Sequence, residues 1–106
     1  MQLAVVVSSN DAETAWNAFR FAVKAAQAGH TVRAFLLGAG VECEGLCRQP
    51  FDVVEQMEAF RALGGEIRSC GTCLRSRGLD GSALCPVSTM QDLLDITLWA
   101  DRVLTF

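Results

Sequence analysis

Two thiols three residues apart dominate the chemistry available to this chain. Cys70-Gly71-Thr72-Cys73 is followed at once by Leu74-Arg75-Ser76-Arg77-Gly78. A short strand-like run, Gly65-Glu66-Ile67-Arg68-Ser69, leads into it, and one or two turns of helix are expected after it. Thiols at a strand-to-helix junction meet the partial positive charge of a helix N-terminus, and Arg75 and Arg77 add to it. Both favour the thiolate, which is the nucleophile and the metal ligand. Buried structural cysteine is the bland alternative, but a CxxC beside two arginines at such a junction favours chemistry.

Three further cysteines are weaker prospects. Cys43 and Cys47 form a CxxxC in a loop, and Glu42 and Glu44 flank Cys43, so like-charge repulsion disfavours its thiolate. Cys43 and Cys47 are expected as resolving or accessory thiols. A metal bound by Cys43, Cys47, Cys70 and Cys73 is the alternative, although a chain with a full core does not need a structural zinc. Cys85 lies in a loop between Gly78 and Pro86. A thioredoxin-like placement fits poorly, because this CxxC follows the third strand and encloses Gly-Thr.

The elements that must position these sulfurs are readable. Residues 2–8 are a continuous apolar run with three consecutive valines, as in a strand buried on both faces of a parallel sheet. Asn10 or Asp11 caps a helix over residues 12–28, with Ala15, Trp16, Phe19, Ala22, Val23 and Ala26 as its apolar stripe and Gly29 as its stop. Residues 31–37 form the second strand, closed by Gly38-Ala39-Gly40. Asp52 caps a second helix with Val53, Val54, Met57, Phe60 and Leu63 inward. Ser88 and Gln91 open a last helix marked by Met90, Leu93, Leu94, Thr97 and Leu98, and residues 102–106 are a final strand. His30 falls at a helix–strand turn and reads as surface, and Ser8-Ser9-Asn10-Asp11 reads as helix capping rather than an anion cradle.

Alternating strands and helices imply right-handed βαβ units and a mainly parallel sheet of four or five strands with helices on both faces. Residues 1–106 read as a single domain, a length sufficient for a real core. In such sheets ligands bind beyond the carboxyl ends of the strands, and four of the five cysteines follow strand two or three on that edge. The composition is 51% hydrophobic and 20% charged with a net charge of −3, which excludes disorder and disfavours nucleic acid as a partner. The first residues lack a positive region and a cleavage site, and their apolar run is too short to span a bilayer. A cytoplasmic, reduced protein with no membrane partner is expected, where cysteines serve catalysis, redox or metals more often than disulfides.

Beyond these elements, the pattern Ser-Asn-Asp-x-Glu-Thr-Ala-Trp-Asn-Ala at residues 9–18 is similar to the DsrE-like sulfur-relay family. So are Gly29-His30-x-Val32-x-x-Phe35-Leu36-Leu37-Gly38-x-Gly40-Val41-Glu42 and the closing Ala100-Asp101-Arg102-Val103-Leu104-Thr105-Phe106. The resemblance implies a three-layer, flavodoxin-like fold and homotrimers or hexamers. In the DsrE and TusD branch a cysteine eight residues before the glycine of an Arg-Arg-Gly-like turn carries a persulfide between proteins. Cys70 stands eight residues before Gly78 and inherits that role by position, with sulfur donor and acceptor proteins as the implied partners and no cofactor. Cys73, the Cys43/Cys47 pair and Arg75-Ser76-Arg77 in place of an arginine pair depart from that branch. They leave two readings open: a sulfurtransferase or carrier using Cys70 and Cys73, with Arg75 and Arg77 stabilising the anionic sulfur, or a non-catalytic metal-binding or oligomeric interaction protein.

Overall fold

The computed structural model describes the backbone of residues 1–106 and every side chain except that of Cys47. Its elements are β1 (Gln2–Val7), α1 (Ala12–Gln27), β2 (Thr31–Leu36), a 3-10 helix (Gly38–Gly45), β3 (Cys47–Arg48), β4 (Phe51–Asp52), α2 (Val53–Ala62), β5 (Glu66–Cys70), α3 (Gly71–Arg75), β6 (Val87–Ser88), α4 (Met90–Trp99) and β7 (Arg102–Thr105). Five strands form one sheet in the order β6-β5-β2-β1-β7, every neighbouring pair parallel. The expected α/β class and parallel sheet are therefore present.

The strand order explains the layers. From β1 the chain steps to β2 and β5 in one direction, so right-handed crossovers place α1 and α2 on one face. The connection from β6 to β7 runs back across the whole sheet, and the same handedness puts α4 on the opposite face. Leu3, Ala4, Val5, Val6 and Val7 of the interior strand β1 are all buried, as the valine run requires. Ala12, Ala15, Ala18, Ala22 and Ala25 let α1 lie close to the sheet, with Phe19 filling the space between α1 and α2 against Phe60.

Several local expectations are corrected. Asp11, one of the two caps expected, does cap α1 by accepting the Thr14 N–H, but the cap of α4 is Thr89 accepting from Asp92 rather than Ser88 with Gln91. Ser88 is instead the last residue of β6, paired in register with Cys70. The segment after β2, read as a loop, is a 3-10 helix followed by the small antiparallel hairpin β3–β4. Phe51 of this hairpin meets the edge of Trp16, 5.2 Å between ring centres. Leu63 is exposed, beyond the buried part of α2.

The largest correction concerns α4. Leu93, Ile96 and Trp99 face the core, whereas Met90, Leu94 and Leu98, one turn apart along the other side, are exposed, Leu98 by 75%. Val87 and Val103, at the two edge strands, are exposed as well. Among the described residues no helix is long and apolar enough to cross a membrane.

Candidate functional site

Cys70 ends β5, and the residues on either side of it fix its surroundings. Ser69 and Cys70 pair with Val87 and Ser88 of β6, and Ser69 faces Leu36 of β2. The chain turns directly into α3 with Cys70 as N-cap residue. Glycine at 71 lets the turn pack closely, since a Cβ there would sit tightly against the Ser88 carbonyl and the Val87 side chain at 3.1 Å and against Arg75 at 3.2 Å. Cys70 is only 3% exposed, lying just beneath the surface.

Burial alone would raise the Cys70 pKa, but the net shift is downward. The Cys70 side chain forms no cap hydrogen bond of full geometry, yet the N–H of Cys73, the Cys73 thiol and the N–H of Thr72 are close enough to stabilise its anion, with the Arg75 charge adding to them. The Cys73 sulfur in turn accepts the Gly38 N–H at 3.2 Å. A donor chain therefore runs from the backbone after β2, through the Cys73 sulfur, to Cys70. The 3-10 helix can lie close enough to supply that N–H because Gly40 has no Cβ, which would collide with the Val7 carbonyl.

The two arginines are placed differently. Arg75 donates to the Thr72 hydroxyl at 3.3 Å and its charge acts on Cys70. Arg77 turns away to the Glu42 carboxylate at 3.0 Å and to the Cys73 carbonyl at 3.2 Å. It ties α3 to the 3-10 helix instead of facing the Cys70 sulfur.

Cys43 is fully buried, and burial first, then the Glu42 carboxylate, pushes its thiol up to about 12. Cys85 is also pushed up to about 12, by burial first and then by Glu44 and Cys43. At neutral pH both therefore stay protonated as thiols. Glu44, which flanks Cys43 in sequence, thus acts on Cys85, and it also accepts the Ser82 hydroxyl at 2.6 Å. The grouping of Cys43, Cys47, Cys70 and Cys73 around a metal is not assembled: among the described residues no three His, Cys, Asp or Glu side chains converge, and the Cys47 side chain lies outside them. The weakly hydrophobic sequence around Gly38, which lies far from Cys73 in the chain, gave no sign that its N–H would serve the site.

A mainly parallel five-stranded sheet covered by helices, with two cysteines at one strand–helix junction, defines a small α/β protein of the three-layer class. The sequence profile of the DsrE/DsrF-like family matches residues 1–106, and the chain belongs to that family. It is 34% identical over 100 residues to the uncharacterized protein MJ0989 of Methanocaldococcus jannaschii, covering 89% of this chain and 88% of that one. It is 32% identical over 100 residues to the uncharacterized protein MK0008 of Methanopyrus kandleri, covering 89% and 83%. The ychN protein from E. coli superposes with a TM-score of 0.83 at 26% identity over the whole of both chains. A conserved protein of unknown function from Bacteroides thetaiotaomicron shares the fold, with a TM-score of 0.78 at 17% identity over 99% and 94% of the chains. Membership of this family points to a role of the sulfur-relay type.

Proposed function

We propose that the protein is a cytoplasmic sulfur carrier that holds sulfane sulfur as a persulfide on Cys70. The observation that carries this reading is the contrast between thiols of one small domain: Cys70 is lowered, while Cys43 and Cys85 stand at about 12. The Cys70 thiolate attacks the outer sulfur of a donor persulfide; the new S–S bond forms as the donor S–S bond breaks, and the donor leaves as a thiolate. The acceptor thiolate then attacks the same outer sulfur, and Cys70 leaves as a thiolate. Cys73 offers a second exit, because its attack on the inner sulfur closes a Cys70–Cys73 disulfide and expels hydrosulfide, after which a dithiol reductant restores both thiols. Arg75 and the Thr72 and Cys73 N–H groups stabilise the anion in each case.

Intact mass after incubation with a persulfide donor tests this. A gain of one sulfur atom, removed by dithiothreitol and mapped to Cys70, is the expected result, and Cys70→Ser abolishes it while leaving the fold intact. Loading that persists in Cys70→Ser would remove Cys70 from the role.

The carrier works as a homo-oligomer, a trimer or hexamer as the family resemblance implies, with α4 as the contact face. Supporting this is the apolar strip of Met90, Leu94 and Leu98, continued by Val87 and Val103 on the edge strands. Sheet edges and an apolar helix face left uncovered favour self-association.

A further inference from the structure

Between the 3-10 helix and the end of α3 lies a cavity of about 540 Å³. Val41, Leu46, Leu74 and Leu79 supply its apolar lining, and Leu79 is 40% exposed. Glu44 and Asp80 stand on it as well, and among the described residues neither pairs with a cation. The third carboxylate there, Glu42, is neutralised by Arg77. The cavity thus combines an aliphatic floor with two uncompensated negative charges. It shares α3 with the cysteine pair: Leu74, the residue after Cys73, lines it, and Arg77 on its wall donates to the Cys73 carbonyl.

We propose that this cavity docks a segment of a partner protein that presents an aliphatic side chain beside a lysine or arginine, delivering the partner's cysteine to Cys70. The aliphatic side chain fills the Leu46–Leu74–Leu79 floor, and the cation neutralises Glu44 and Asp80. The proposal rests on the carrier reading for what the docked segment delivers, but not for whether it docks. Carboxylates at the mouth exclude acidic segments by repulsion, so the same surface selects the partner.

The probe is the peptide acetyl-Lys-Leu-Gly-Cys-amide, with the glutamate analogue in place of lysine as control, titrated into uniformly labelled protein and followed by amide chemical shifts. The lysine peptide moves the amides of Leu46, Leu74, Leu79 and Asp80, and the glutamate peptide leaves them in place. The double variant Glu44→Gln/Asp80→Asn weakens the lysine peptide by about fivefold, as two rim ion pairs allow, and high salt weakens it further. Leu79→Ser tests the apolar floor separately, at an exposed position that leaves the fold intact. Equal binding of both peptides, shifts confined to another surface, or the same shifts produced by raising protein concentration alone would overturn the proposal. The persulfide form of the lysine peptide is then compared with free cysteine persulfide. It loads Cys70 faster in the wild type, and the double variant loses that advantage while keeping its rate with the free donor. Docking without any loading would sink the carrier reading and leave the docking site standing; loading without docking would do the reverse.

Discussion

The burial of Cys43 and Cys85 makes the protein sensitive to alkali in a way that can be worked out beforehand. Each thiol has an ordinary value of 9.0 and is pushed up to about 12 in the folded chain. Between those values the unfolded chain has released the proton and the folded chain still holds it. Stability contributed by these thiols is therefore complete below pH 9 and falls as pH rises toward 12. The slope is about 1.4 kcal/mol per pH unit for one thiol and about 2.7 for both. By pH 10.5 the loss reaches about 4 kcal/mol, a large part of the 5–15 kcal/mol that holds a typical domain together.

Cys70 does not oppose this slope. Its value is lowered in the folded state, so its contribution is full above its unfolded value and constant through the window. The chain contains no tyrosine and only one lysine, Lys24, so the groups that ionise there are mainly thiols. Urea unfolding under reducing conditions, followed by Trp16 and Trp99 fluorescence from about pH 9 to about pH 10.5, reads the slope directly. Cys43→Ala and Cys85→Ala each lose about 1 kcal/mol at neutral pH from lost packing, and each halves the alkaline slope. A wild-type slope below that of a single thiol, or a slope that neither variant alters, would refute the reasoning.

Other consequences are simpler to check. Cys73→Ala removes the thiol that hydrogen-bonds the Cys70 anion, so alkylation of Cys70 by iodoacetamide at neutral pH slows several-fold and its midpoint moves to higher pH; an unchanged rate profile would free Cys70 from its partner. Gly40→Ala forces the 3-10 helix off the Val7 carbonyl and costs about 2 kcal/mol or more in urea unfolding, with Cys70 alkylation slowed because Gly38 leaves Cys73. Leu94→Lys with Leu98→Lys yields a monomer by sedimentation with the fold retained, since both positions are exposed in the single chain; persistence of the wild-type oligomer would clear α4 of the contact.

The sheet and the core helices were legible because their signals are local. The Leu3–Val7 run needs two covered faces, and the Asp11 and Asp52 caps each sit immediately before an amphipathic stretch. The Cys70–Cys73 turn was legible for the same reason, as strand, thiol and short helix follow one another directly. What escaped was everything that depends on residues meeting across the fold. Gly38 is 35 residues from the sulfur it serves, and Arg77 finds Glu42 across the same distance, so its proximity to Cys70 in sequence was misleading. Glu44 flanks Cys43 in the chain but acts on Cys85.

Helix α4 shows a different limit, set by the chemistry of apolar side chains rather than by distance. A stripe of Met90, Leu94 and Leu98 reads the same whether it meets a sheet of its own chain or another surface, because burial of apolar area has no directional preference. Only the sheet decides between them. Leu93, Ile96 and Trp99 take the places against the core, and Met90, Leu94 and Leu98 are left exposed. The surplus lies opposite the layer formed by α1 and α2, whereas the cysteine pair opens at the carboxyl edge of the strands. The two regions nevertheless meet at one edge, because Val87 pairs with Ser69 of β5 and its side chain lies against Gly71, so self-association over the α4 strip would bring a second chain close to Cys70.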